Sequence, residues 1–152
     1  MPDQLKRNQI ILGDAHEELI KFPKASIDTV ITSPPYFGLR DYGHHRQIGL
    51  ESNVELWAER LLTICREVGR VLKPSGSLWL NLGDSFSNHP RQGAPNKSLL
   101  LGPQRLALKL VRDGRLLRNQ IVWAKPNGMP SSATDRFSCK YEVILLLVRA
   151  HH

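Results

Sequence analysis

The sequence predicts an α/β layered fold with a mostly parallel sheet, and three observations carry that expectation. Short β-branched apolar runs alternate with stretches of helical period, the pattern of strand–helix–strand units. The last two apolar runs have no helix between them, which makes the final strand antiparallel. The informative polar loops follow the carboxyl ends of strands, where open α/β sheets bind ligands. At 152 residues the chain suits one domain, residues 1–150, able to bury roughly 70% of its unfolded surface.

In chain order, Gln9-Ile10-Ile11-Leu12, closed by Gly13-Asp14, reads as a first buried strand. Asp14 and Glu17 have capping-box spacing and open a short helix that Pro23 stops. Ile27 to Thr32 is a second strand, followed by a loop from Ser33 to Glu51 rich in Gly, His, Arg and Tyr. A loop that long inside a compact domain is usually functional or mobile. Ser52 and Glu55 form another capping box, and Val54, Trp57, Leu61, Ile64, Cys65, Val68 and Leu72 recur at helical spacing over about five turns. Pro74-Ser75-Gly76 reads as a turn, and Ser77 to Leu82 as a third strand ending at Gly83-Asp84. After the polar loop Ser85–Lys97, Pro103 suits the first turn of a helix with Leu106, Ala107, Leu110 and Val111 as its stripe and Asp113-Gly114 as its end. Gln120 to Trp123 is a fourth strand with Trp123 as a core residue, Pro126 to Ser138 a loop, and Glu142 to Val148 the last strand.

Composition narrows the class. Hydrophobic residues at 41% and charged residues at 23% exclude a disordered tail, a collagen-like repeat and a coiled coil. No apolar run approaches the ~18 residues that cross a bilayer, and the first residues lack a signal-peptide pattern. With only Cys65 and Cys139 there is no disulfide framework and no Cys-x-x-Cys pair. The expectation is a cytoplasmic protein with no membrane partner and no structural metal; His44-His45 has no carboxylate or Cys to complete a ligand set. The excess of 21 Lys+Arg over 14 Asp+Glu, a net charge of +7, favours a polyanionic partner, because neutralising phosphates releases condensed counterions.

The sharpest chemical feature is Thr32-Ser33-Pro34-Pro35-Tyr36. Two consecutive prolines stiffen the backbone and supply no N–H, so the segment presents free carbonyls. A serine oxygen beside a proline carbonyl makes two acceptors for one NH₂ group, and Tyr36 offers a flat face for a planar ring. Acceptors for an amine beside a stacking platform describe a site for a nucleobase drawn out of its helix. A plain proline-rich turn is the other reading of the same residues.

In this setting the segment resembles the (Asp/Asn/Ser)-Pro-Pro-aromatic tetrapeptide of the DNA amino-methyltransferases, which methylate N4 of cytosine or N6 of adenine. The resemblance runs on through Gly13-Asp14-Ala15, Val71 to Asp84, Arg118 to Asn127, Met129-Pro130, Asp135-Arg136 and Tyr141-Glu142. It covers nearly the whole chain in the order of the permuted class, catalytic half first. It implies a Rossmann-like methyltransferase fold, S-adenosylmethionine as cofactor and double-stranded DNA as partner. Ser33, Pro34, Pro35 and Tyr36 then carry the reaction, and Asp14, Thr32 and Ser33 lie near the cofactor. Arg40, His44, Arg46, Asp84 and Lys125 line the base pocket or touch DNA. Serine at the first motif position leans towards N4-cytosine over N6-adenine.

Several of these residues carry a second reading. Asp14 is also a helix cap, Asp84 also a turn residue, and Lys125 also part of a solvated loop. One feature departs from the family: none of the eleven glycines forms the aromatic-x-Gly-x-Gly loop that holds the methionine end of the cofactor. The family sheet also places two strands between the first and second strands read here. The expectation is therefore an incomplete enzyme, with a missing C-terminal segment or a second chain supplying the cofactor loop. The alternative is a non-catalytic relic that binds DNA or a partner chain. His151-His152 reads as a tag remnant.

Overall fold

The computed structural model describes residues 7–149; the expected tag remnant lies outside them. Helix α1 (Ala15–Ile20) is followed by β1 (Ile27–Thr32), α2 (Val54–Val71), β2 (Leu72–Leu82), α3 (Gly102–Arg112), β3 (Arg115–Ala124) and β4 (Tyr141–Arg149). The four strands form one sheet in the order β1-β2-β4-β3. β1 and β2 are parallel, while β4 is antiparallel to both neighbours. Three strands therefore share one direction and the last is reversed, as the sequence predicts. What the sequence leaves open is that β4 inserts between β2 and β3 instead of adding at an edge.

The helical predictions hold, with small shifts of boundary. α2 buries Val54, Trp57, Leu61, Cys65 and Val68 on one face. Its cap is Asn53, whose side chain accepts from the Leu56 amide at 2.9 Å, one residue beyond the predicted Ser52. Asp14 caps α1 by accepting from the amides of His16 and Glu17; Glu17 reaches Arg46 instead of completing the box. In α3, Leu106, Ala107 and Leu110 are buried, but Val111 is exposed. Its partners on the stripe already fill the contact with α2, and Val111 lies past that stripe.

Two strands are longer than predicted. β2 starts at Leu72, not Ser77, because Ile27 pairs with Leu72 while Thr29 pairs with Ser77. Residues 73–76 bulge out between those pairs, so the predicted turn is a bulge within one strand. β3 extends back to Arg115 and carries its own irregularity between Leu117 and Asn119.

The predicted strand at Gln9–Leu12 is absent, with Ile10 at 100% and Leu12 at 99% exposure. A strand needs a neighbouring ladder of N–H and C=O groups, and none of the described strands lies beside this run. The outer edge of β1 likewise has no strand partner among the described residues. Trp123, predicted to be core, is 53% exposed, because β3 is the other edge strand and Trp123 pairs across to Glu142.

The core lies on one side of the sheet. Leu78, Leu80, Leu82, Val143, Leu145 and Leu147 pack under α2 and α3, and α1 packs against α2. The alternate residues Ile31, Trp79 and Leu146, which are paired in register across β1, β2 and β4, lie on the opposite side. Ile31 there is 80% exposed. No described helix is long and apolar enough to cross a membrane.

Candidate active site

Because β1, β2 and β3 run in one direction, the loops after them meet at a single sheet edge, where β4 also begins. The loop after β1 starts with the diproline corner, and the core grips it. The Trp57 indole N–H donates to the Pro35 carbonyl at 2.9 Å, and Trp57 is fully buried. Ser85 Oγ donates to the Phe37 carbonyl at 2.8 Å, while the Phe37 ring enters the core. The Gly38 amide donates to the Gly49 carbonyl at 2.8 Å, closing the loop. Gly49 has φ of +106° and would place a Cβ 2.8 Å from the Tyr36 carbonyl, so glycine is required there. The Pro34 carbonyl, in contrast, accepts no hydrogen bond among the described residues. The two proline carbonyls are thus sorted, one spent on the core and one free.

Tyr36 sits at the centre of a polar network. Its hydroxyl donates to Glu142 Oε2 at 2.8 Å and lies 3.2 Å from Ser33 Oγ. Asn81 Nδ2 donates to Tyr36 Oη at 3.1 Å and to Glu142 Oε2 at 2.8 Å. Lys125 forms an ion pair with Glu142. The ring lies against Gly83, where a Cβ would come within 2.7 Å of it, so only glycine lets the tyrosine pack this close.

The charges follow from these contacts. Burial, then the nearby Glu142 carboxylate, pushes the Tyr36 phenol up to about 12. Burial alone would raise Glu142, but the hydrogen bonds from Lys125, Asn81 and Tyr36 outweigh it and hold the carboxyl below its usual range. Around neutral pH the network therefore holds a neutral phenol and an ionised carboxylate.

Two hollows border Tyr36. One, of about 370 Å³, is walled by Ser33, Pro34, Tyr36, Arg40, Lys125 and Glu142. The other, of about 300 Å³, is more apolar and includes Tyr36, Leu82, Asp84, Leu101, Gln104 and Tyr141. Gln104 Oε1 is buried there without a hydrogen-bond partner.

The residues singled out in the sequence divide into those at this edge and those away from it. Ser33, Pro34, Pro35, Tyr36, Arg40 and Lys125 line the first hollow. Asp84 borders the second, but its carboxylate accepts the amides of Ser85, Leu101 and Gly102, which makes it the anchor of the α3 N-terminus. Thr32 ends β1 in register with Leu80. Asp14 caps α1 and, with Arg46, borders a separate hollow of about 280 Å³ that shares no residue with the first. His44 lines another cavity with Arg60, and its Nδ1 accepts from the Arg46 amide.

The loop that carries Arg40, His44 and Arg46 is tied down. Arg60 of α2 donates to the carbonyls of Gln47 and Arg46 and pairs with Glu51, and Arg46 pairs with Glu17. Sequence reasoning did not assign Glu142 to the site and read Trp57 only as core. A signal for Glu142 was present: it is the single acid in the strand Tyr141–Arg149, immediately before its apolar run Val143 to Val148.

Residues 27–151 match the DNA methylase family of N6- and N4-type enzymes. The chain belongs to this family. It is 47% identical over 150 residues to the type II methyltransferase M.SfiI of Streptomyces fimbriatus, covering 93% of this chain and 36% of that protein. It is 38% identical over 170 residues to M.Cfr9I of Citrobacter freundii, covering 98% of this chain and 57% of that one. The chain thus spans between about a third and three fifths of the length of these relatives.

Among solved structures, the cytosine-N4-specific PvuII DNA methyltransferase superposes with a TM-score of 0.70 at 20% identity, over 91% of this chain and 48% of that one. A DNA modification methylase of Thermus thermophilus, TTHA0409, complexed with S-adenosyl-L-methionine, gives 0.70 at 27% identity, over 93% and 55%. The expected Rossmann-like methyltransferase fold is borne out, as a partial domain with a mixed sheet.

Proposed function

We propose that this chain is the catalytic part of a DNA amino-methyltransferase that uses S-adenosylmethionine, with N4 of cytosine favoured over N6 of adenine. The observation that carries the reading is the corner itself. Trp57 takes the Pro35 carbonyl, while Ser33 and Pro34 line a hollow beside the tyrosine.

The chemistry suits these residues. The exocyclic amine of a nucleobase is a weak nucleophile because its lone pair is delocalised into the ring. Ser33 Oγ and the Pro34 carbonyl accept its two hydrogens and favour a pyramidal nitrogen with a localised lone pair. Tyr36 holds the base plane, so positioning of the amine supplies most of the acceleration. No covalent adduct to the protein is required.

The free carbonyl and hydroxyl fit the acceptor side of such a reaction. When bound, S-adenosylmethionine supplies an electrophilic methyl carbon on a sulfonium. Thr32 and Ser33, at the end of β1, are the residues of this chain assigned to it beside the corner, together with Asp14, which caps α1 and borders a separate hollow. The glycine loop that grips its methionine end is not among the eleven glycines here, so that grip comes from a further segment or a second chain. The serine at position 33 supports the N4 preference. Arg40 and Lys125 line the hollow and, with Arg46 further along the same loop, supply positive charge for the phosphates of double-stranded DNA; His44 lies on that loop too.

The test is incubation of the complete gene product, together with the segment or chain that supplies the cofactor loop, with labelled methyl donor and DNA, followed by nucleoside analysis. Label in N4-methylcytosine is expected. Label in N6-methyladenine overturns the base preference, and an unchanged rate for Pro35→Ala or Tyr36→Ala overturns the site.

A further inference from the structure

We infer that Glu142 is a positioning residue that acts through Tyr36 to orient the Ser33 hydroxyl, so that Ser33 Oγ meets the hollow as a hydrogen-bond acceptor only. This deepens the reading above and rests on it for its function, but the proton order itself is a property of four side chains.

A tyrosine hydroxyl has one proton, and an ionised carboxylate can only accept. The 2.8 Å contact between Tyr36 Oη and Glu142 Oε2 therefore consumes the tyrosine proton. Asn81 supports the same order by donating from Nδ2 to both Tyr36 Oη and Glu142 Oε2. The reverse orientation of that amide would set its oxygen against a carboxylate. Lys125 pairs with the carboxylate from the solvent side, which keeps it charged.

With its proton spent, Tyr36 Oη can meet Ser33 Oγ at 3.2 Å only as acceptor, so the serine must donate. A serine hydroxyl also has a single proton. Once that proton points at Tyr36, both lone pairs of Ser33 Oγ remain for the hollow. The hydroxyl is then polarised for an NH₂ group, and a ligand presenting an acceptor is rejected, because two lone pairs would face each other. The discrimination between an amino and a keto substituent on a pyrimidine follows: cytosine is accepted and thymine or uracil is not.

Neutron diffraction from crystals of the deuterium-exchanged protein reads the order directly. The expected map has one deuterium between Tyr36 Oη and Glu142 and the Ser33 deuterium directed at Tyr36 Oη. A Tyr36 deuterium pointing at Ser33, or a Ser33 deuterium pointing into the hollow, overturns the inference.

A methylation assay then separates orienting from mere structure. Glu142→Gln, which can present a donor to Tyr36, is expected to lower kcat by about a hundredfold, the scale of losing one preorganised polar contact, with KM for DNA little changed. In a Ser33→Asp background the acceptor no longer depends on a hydroxyl proton, and the same substitution should cost less than about twofold in kcat. Equal losses in both backgrounds would mean that Glu142 only supports the fold and would refute the orienting role. Absence of any methyl transfer by the unsubstituted protein, assayed together with the segment or chain that supplies the cofactor loop, would sink the proposed activity instead, while the deuterium positions still decide the proton order.

Discussion

The loops after β1 and β3 meet at the same sheet edge and are held in opposite ways. The first is gripped by the buried Trp57 on Pro35 and the half-buried Ser85 on Phe37, with the more exposed Arg60 on the carbonyls of Arg46 and Gln47. The third is closed at its base by the Lys125 amide on the Lys140 carbonyl. Beyond that it is held mainly by surface contacts, an ion pair of Asp135 with Lys97 and Arg136 over the Phe86 ring. Its Phe137 is 97% exposed. Proline and glycine punctuate both loops, so punctuation does not distinguish them. What does is whether a buried donor reaches the loop's backbone, since a buried bond cannot be exchanged for one to water.

Substitutions can break that contrast, and the largest effect belongs to Trp57. Trp57→Ala removes a fully buried indole and the partner of Pro35, and should cost about 3–5 kcal/mol in urea unfolding. Trp57→Phe keeps most of the bulk but orphans the carbonyl, at about 1–3 kcal/mol. A neutral Trp57→Phe would show that the grip on the corner is packing alone.

Next in size, Gly83→Ala forces a Cβ to within 2.7 Å of the Tyr36 ring. Overpacking of this kind costs about 1–3 kcal/mol. The Tyr36 ring resonances should move in the NMR spectrum while those of Tyr42 stay in place.

The pH dependence sharpens the comparison further. Tyr36 has a folded value raised to about 12. Its contribution is complete below the ordinary tyrosine value of about 10 and is lost as pH rises through 12. Glu142 is depressed. Its contribution is present above its unfolded value of about 4.3 and fades as pH falls through the folded one. Phenolate absorbance should therefore show a late step for Tyr36, and Glu142→Gln should bring that step down towards the ordinary tyrosine value. The smallest effect is expected in the third loop, where Phe137→Ser should stay within about 0.5 kcal/mol of the parent in the same unfolding assay.

Much of the fold was legible because its information is local. The β-branched run Ile27–Thr32 is β1 to the residue, and the stripe from Val54 to Val68 is the buried face of α2. The misses share one cause. Ile10, Ile11, Leu12, Trp123 and Val111 are apolar but exposed, because burial depends on what lies opposite and not on the residue itself. Glu142 was overlooked for the converse reason: it lies 106 residues from Tyr36, and no window of sequence contains both. In Trp57, helical period revealed the buried ring but said nothing of where its N–H points.

By itself the chain of residues determined the strand and helix alternation, the stiff Ser33-Pro34-Pro35-Tyr36 segment and the reversal of the last strand, since period, proline geometry and loop length act over a few neighbours. Only tertiary packing decided that β4 would enter between β2 and β3. That insertion sets Glu142 beside Asn81 and Tyr36. The physical reason is that hydrogen-bond partners and proton order are properties of groups brought together across the sheet.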